Sequence, residues 1–286
     1  MMDYPALAAL AEVIRRGSFD AAAAALHVTP SAISQRIRAL EDRMGAVLVD
    51  RGPPVTGTET GNRLAAHLDQ VRLLEASLAS SDATPPILRI AVNADSLASW
   101  VMPAFSSAPG LIDLMIDDQD HALDLLRSGQ VVGAITSDSR AVTGCDSIPL
   151  GTMRYRATAS TGFAKRHFAD GLTLEALQNA PMLSFNTKDS LQNRWAEGIC
   201  GQRITAPLHR IPSSQAFAQA TRLGLGWGMN PECLIRSDLD QGHLIDLAPD
   251  HPLDIPLYWQ CSRILRPTLL PLTDAIRKTA RSALLP

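Results

Sequence analysis

The 286-residue sequence predicts an α/β protein with an all-α head at its N-terminus, a long linking helix and a two-lobed α/β body. Three observations carry that expectation. Apolar residues recur at spacings of three and four in successive runs between residues 5 and 44, the period of helices with one buried face. A seam of the same period runs from Thr58 to about Ser80. Beyond Pro85 and Pro86, short β-rich runs alternate with helical ones, the order from which parallel sheets are built.

The first helix spans residues 5–16, with Leu7, Leu10, Val13 and Ile14 on its inner face and Arg15, Arg16 and Gly17 closing it. Ser18 caps a short second helix in which Phe19, Ala22, Ala23 and Leu26 recur at i, i+3, i+4 and i+7. The small residues Ala21 to Ala25 let a neighbouring helix cross closely. After a tight connection, His27-Val28-Thr29, a third helix runs from Thr29 to Met44, with Thr29 as N-cap and Pro30 at the first helical position. Ile33, Ile37, Leu40 and Met44 form its buried stripe. Ser31, Ser34, Gln35, Arg36 and Arg38 lie opposite, and such side chains bond base edges and phosphates in a major groove. Two helices joined in this way make a helix-turn-helix. Its expected DNA contacts are Thr29, Pro30, Ser31, Ser34, Gln35, Arg36 and Arg38; the alternative is an amphipathic helix with a solvated face. Ala46 to Arg51 reads as a wing strand turned by Gly52-Pro53-Pro54, and Arg51 is assigned a phosphate contact.

Composition narrows the function. With 46% hydrophobic and 19% charged residues, the chain suits two or three compact units with real cores. No run of 18 apolar residues exists, so no membrane span is expected. The start of the chain lacks a basic region followed by an apolar one, so a cytoplasmic protein is expected. Cysteines 145, 200, 233 and 261 lie 28 or more residues apart and the seven histidines are dispersed, which points to free thiols and no metal site. No G-x-S-x-G elbow, H-E-x-x-H or P-loop occurs, so catalysis has no visible apparatus. Net charge is −3, and the six arginines within residues 1–57 are balanced by six acidic residues. Attraction to DNA must then come from local clustering and from doubling the site in a dimer.

Thr58 caps the long helix, whose seam of Leu64, Leu68, Val71, Leu74 and Leu78 needs cover. A second copy is the natural supply; the alternative is that the helix lies on its own domain. Residues 80–86 read as a linker. Strands are expected at 87–92, 111–116, 131–135, 181–185, 207–211, 224–230 and 255–261, with helices near 97–105, 122–127, 190–199, 214–223 and 269–284. Two α/β lobes leave a cleft, and ligands in such folds sit at strand C-terminal ends and helix N-termini. That places Asn93, Asp95, Ser96, Asp117, Asp118, Gln119, Thr136, Ser213 and Ser214 as candidate ligand contacts. The blander alternative makes Asp95 a helix cap and Asp117 and Asp118 solvated turn residues. Gly224-Leu225-Gly226-Trp227-Gly228 does not fit G-x-G-x-x-G and is expected to be a close-packed strand.

Phe19 through Glu41, read as F-x-x-A-A-x-x-L-x-V-T-x-S-A-I-S-x-x-I-x-x-L-E, resembles the signature of LysR-type transcriptional regulators, and Arg51 with Thr58-Glu59-Thr60-Gly61 resembles that family's wing and linker-helix start. The octet from Asn93, together with Gln35-Arg36-Ile37 and Gly129-x-Val131-Val132-Gly133-Ala134, is similar to the branch controlling export of basic amino acids. Pro53, Pro54, Val55 and Thr56 depart from the family by offering no second basic residue at the wing tip. The resemblance implies a winged helix-turn-helix over residues 1–57, a dimerising linker helix over 58–80, a hinge over 81–86 and a periplasmic-binding-protein-like effector domain over 87–286. Lobe I of that domain would hold about 87–160 and 265–286, and lobe II about 161–264. It further implies a dimer, assembled into a homotetramer, on double-stranded promoter DNA; contact with RNA polymerase; no cofactor; and lysine or arginine, with histidine a third option, as effector. Asp95, Asp117 and Asp118 would then hold the ligand's cations, and Ser213 and Ser214 its carboxylate. A LysR-type regulator of another signal and an architectural or replication-origin DNA binder remain as alternatives.

Overall fold

The computed structural model describes residues 3–76, 86–116 and 119–286. The head opens with α1 (Tyr4–Arg16), capped by Asp3, whose carboxylate accepts a bond from the Ala6 N–H at 3.2 Å, and closed by Gly17 at φ 65°. Next come α2 (Phe19–Ala25), capped by Ser18, and α3 (Pro30–Met44), capped by the Thr29 hydroxyl on Ala32 N–H and closed by Gly45 in the left-handed region. Leu7, Leu10, Val13, Ala22, Ile33, Ile37 and Leu48 are fully buried together. Each large side chain in that core contributes roughly 1.5–3 kcal/mol. The wing is β1 (Val49–Asp50) paired antiparallel with β2 (Thr56–Gly57). Met44 departs from the expected buried stripe: it is 40% exposed, because the last turn of α3 runs past the head core.

The linking helix α4 (Glu59–Ala76) crosses β1 so closely that a side chain at Gly61 would meet the Leu48 carbonyl. Its seam is also corrected. Leu64 and Leu68 are buried in the head's own core, packed with α1, rather than held out for a second copy, and Leu73 is buried in the body core. Val71 and Leu74 keep partial exposure, and Leu78 lies outside the described residues.

The body begins with β3 (Ile87–Val92), α5 (Ala94–Ser99), a 3-10 turn at Met102–Ser107, β4 (Leu111–Ile116), α6 (Gln119–Arg127) and β5 (Gly133–Thr136). These three strands are parallel, with β3 in the centre. Then β6 (Cys145–Ser160) runs for 16 residues and is followed by α7 (Thr161–His167), α8 (Leu174–Asn179), β7 (Met182–Ser184), α9 (Leu191–Cys200), β8 (Leu208–Arg210) and α10 (Ser214–Arg222). The chain closes with β9 (Gly228–Pro231), α11 (Glu232–Asp240), β10 (Leu244–Asp246), β11 (Leu253–Ser262) and α12 (Arg266–Ala283). Strand order in the large sheet is β10-β6-β11-β5-β3-β4, with β9 also on β6.

The sheet is not parallel throughout, as strand-helix alternation implied. The long β6 and β11 pair antiparallel and carry the chain between lobes, the first half of β6 beside β11 and its second half beside β9 and β10. Pro149 and Gly151, which argue against a strand in the sequence, sit where the β6–β11 register shifts; Gly151, at φ 122°, leaves room for the Leu285 carbonyl. Within Gly224–Gly228 only Gly228 is in a strand. The close packing is there, with Trp227 fully buried and no space for a side chain at Gly226 or Gly228. No described helix is long and apolar enough to cross a membrane.

Candidate functional site

Two surfaces carry chemistry. On α3 the exposed stripe is Ser31, Gln35 and Arg38, at i, i+4 and i+7, flanked at the N-terminus by the exposed Thr29 and Pro30. Ser34 and Arg36 do not stand in the middle of that face. Both are half-buried at its flanks, because their helical angles bring them toward the Ile33–Ile37 stripe. Arg38 makes no ion pair among the described residues. Arg51 packs its guanidinium 5.4 Å from the centre of the Phe19 ring and 3.5 Å from Glu41 Oε2, and Glu41 Oε1 accepts the Leu48 N–H at 2.9 Å. Glu41 thereby ties the wing to the reading helix.

The second surface is the interlobe cleft, about 640 Å³, lined from lobe I by Asn93 and Asp95, from the crossing strands by Tyr155 and Asp254, and from the far lobe by Asp189, Arg194, Ser214 and Asn230. Asn93, not Asp95, caps α5: its Oδ1 accepts the Ser96 N–H at 2.8 Å. Asp95 is therefore free of the capping role, and its Oδ2 accepts the Tyr155 hydroxyl at 2.7 Å. Burial holds the Asp95 carboxyl above its ordinary pKa; the bond from Tyr155 and the nearby Ser214 hydroxyl act against that rise, and the charge of Asp189 adds to it. Ser214 acts on that carboxylate from close by without a bond of good geometry, since its buried hydroxyl has no partner. Among the described residues no cationic side chain pairs with Asp95. Asp254, by contrast, is matched by a two-bond pair with Arg154 at 2.7 and 2.8 Å, which holds its carboxyl below the ordinary value.

Three buried polar atoms on cleft residues lack partners: Asn93 Nδ2, Ser214 Oγ and Asn230 Oδ1. The Asn230 amide is fixed by donating to Thr158 and Thr221, which leaves its carbonyl oxygen free. Other expected contacts fall elsewhere. Thr136 is fully buried and its hydroxyl accepts the Asp138 N–H; Ser96 is buried beneath α5; Ser213 is exposed and caps α10. Ser137 takes the place expected of Thr136 on the cleft wall, one residue on, where the strand's alternation turns it outward. Asp117 and Asp118 lie outside the described residues, and Gln119 begins α6. Sequence reading missed Tyr155, Asp189, Arg194 and Asn230. Only Asp189 left a local trace, as an acidic residue just before a helix, where it accepts the Phe185 and Leu191 N–H groups.

Residues 5–62 match the family of bacterial regulatory helix-turn-helix proteins of the lysR type, and residues 84–281 match the LysR substrate-binding domain. The HTH-type transcriptional regulator LysG of Mycobacterium tuberculosis is 45% identical over 285 residues, covering 98% of this chain and 94% of its own length. The crystal structure of ArgP from Mycobacterium tuberculosis superposes with a TM-score of 0.87 at 43% identity, covering 100% of this chain and 99% of that one. Full-length LysG from Corynebacterium glutamicum with bound effector Arg gives 0.74 at 38% identity, with both chains fully covered. A helix-turn-helix with an exposed polar stripe, a wing and a cleft between two lobes are thus found in one chain with relatives matched end to end. The chain belongs to the LysR family of bacterial helix-turn-helix transcriptional regulators.

Proposed function

We propose that the cleft senses a free basic amino acid, arginine or lysine, and that the head answers by changing its hold on the promoter of an exporter gene for that amino acid. The observation that carries this reading is Asp95: a half-buried carboxylate on the cleft wall, bonded to Tyr155 and with no cationic partner among the described residues. A ligand cation supplies what it lacks, and a charge-assisted hydrogen bond of this kind contributes about 1.5–3 kcal/mol. Asn230 Oδ1 offers the same cation a second acceptor. The ligand's carboxylate turns away from Asp95 toward Asn93 Nδ2 and the exposed Arg194 at the cleft mouth, rather than to Ser213, which does not line the cleft. Asp117 and Asp118 remain candidates for the second cation. The relative with arginine bound supports the choice of ligand class.

On DNA, Ser31, Gln35 and Arg38 read base edges, Ser34 and Arg36 meet the groove walls, Thr29 and Pro30 set the helix start, and Arg51 contacts phosphate. The regulator works in the cytoplasm as a dimer joined through α4, in which Val71 remains partly exposed, assembled into a tetramer that contacts RNA polymerase. The test is a footprint on DNA upstream of the chain's own gene, with arginine, lysine and leucine titrated onto bound protein. Arginine or lysine should alter the protected length at concentrations where leucine does not. An equal response to leucine, or none to any of the three, contradicts the reading.

A further inference from the structure

Asp69, on α4, gathers three arginines from three elements. Its Oδ1 lies 3.3 Å from Arg15 of α1 and 3.7 Å from Arg72 of α4, and its Oδ2 lies 3.5 Å from Arg89 of β3. Arg89 passes the contact on to Asp113 of β4 at 3.1 Å. The Asp69 side chain is only 17% exposed and those of Arg15 and Arg89 about a quarter exposed, so solvent screens these pairs less than ordinary surface pairs. Around this hub the head and lobe I touch in two further ways: Gln70 donates to the Gly129 carbonyl at 3.2 Å, and Leu73 is buried beside Leu88 and Ile90 of β3. One carboxylate is thus shared between the helix under the DNA-reading pair and the central strand of lobe I. That strand ends at Val92 and hands over to Asn93 on the cleft wall, four residues beyond Arg89, a span of roughly 13 Å.

We propose that Asp69 is an electrostatic clamp that sets the placement of the head on its own effector lobe, and that β3 carries occupancy of the cleft to the head through it. The second half of this statement rests on the cleft reading above; the first does not. Asp69 acts through Arg15 and Arg89 and lies neither on the cleft lining nor on α3, so it is a positioning residue. Without the carboxylate, three guanidinium groups share the joint with, among the described residues, only Glu12 and Asp113 paired to them.

Two measurements on the full chain test the proposal. In the absence of ligand, small-angle scattering of Asp69→Asn should show a broader spread of interatomic distances at unchanged oligomer mass. About 1 M chloride, which shortens the screening length to about 3 Å, should do the same to the unaltered protein. Scattering curves that superpose overturn the clamp whatever the cleft binds. With arginine titrated onto protein bound to DNA selected from a random pool, Asp69→Asn should keep its arginine Kd and its ligand-free DNA affinity within about twofold. Its arginine-dependent change in footprint should nevertheless fall to less than about a third. A full response in Asp69→Asn overturns transmission through β3. Arg89→Gln opens the clamp from the other side and should reproduce both effects; a closed scattering curve or a full response in Arg89→Gln overturns the proposal even if Asp69→Asn fails to fold. If the unaltered protein binds no arginine or lysine, the cleft reading fails, transmission of that signal fails with it, and the scattering arm still decides the clamp.

Discussion

Every buried side-chain nitrogen and oxygen of the head has a hydrogen-bond partner among the described residues, whereas Asn93 Nδ2, Ser214 Oγ and Asn230 Oδ1 in the cleft have none. The head caps its helix N-termini with Asp3, Ser18 and Thr29 and fills its centre with Leu7, Leu10, Ile33 and Ile37. Its polar groups for DNA stay on the surface, where water satisfies them until phosphates and bases replace it. In the cleft, a ligand that bonds Asn93 Nδ2 and Asn230 Oδ1 would satisfy buried groups that the described residues leave without a partner. The two regions differ because DNA binding gains from a prefabricated surface, while sensing needs a site whose free energy changes on occupancy.

The largest expected effect breaks the head without touching the cleft. Leu68→Ala should lose about 2–5 kcal/mol of stability in denaturant unfolding, and Leu68→Asp more, because the side chain is buried in the head's own core. Dissociation into folded monomers instead would return Leu68 to an intermolecular seam. Val71→Asp, at a half-exposed position of α4, is the better probe of the dimer, and sedimentation should show monomers with the head still folded.

Within the DNA surface, Arg38→Ala should cost about 1–3 kcal/mol on a selected site and little on random DNA, whereas Arg51→Ala should weaken both alike. Competition binding at fixed salt separates the two. If Arg36→Ala shows the sequence-selective loss and Arg38→Ala does not, the half-buried flank of α3, not its exposed stripe, reads the bases.

A smaller effect sharpens the contrast from the cleft side. The folded-state pKa of Asp95 is raised by burial. Its proton is therefore held more tightly folded than unfolded, so the carboxylate destabilises the ligand-free protein above that raised pKa, and the penalty disappears below the ordinary carboxylate range. Asp95→Asn should accordingly raise Tm slightly at neutral pH without ligand, and the gain should vanish as the pH falls through the Asp95 range. A loss of Tm at neutral pH would mean that the charge is a stabilising part of the fold.

The head was legible because its determinants are local. The N-caps at Ser18 and Thr29, the proline at 30 and the apolar period over Ile33, Ile37 and Leu40 act within one or two turns, and the structure follows them closely. Met44 escaped because whether the last turn of a helix is covered depends on what lies beyond it. In the body, the strands at 87–92 and 111–116 were plain from their β-branched runs, while β6 was hidden by Pro149 and Gly151, whose effect on the chain is absorbed at a register shift against β11. The cleft resisted for a related reason. Tyr155 meets Asp95 across 60 residues of sequence and Asn230 meets Thr158 across 72, so nothing near any of these residues marks them as neighbours.

Calorimetric titration of the full chain and of Asp95→Asn with arginine, lysine, histidine and leucine at neutral pH tests whether the cleft holds a basic amino acid through Asp95. Expected are saturable binding of arginine or lysine, no comparable binding of leucine, and a loss of about 1.5–3 kcal/mol in Asp95→Asn, roughly 10- to 150-fold in Kd. Binding of leucine as tight as that of arginine, or an Asp95→Asn variant that binds arginine as well as the unaltered chain, would contradict it.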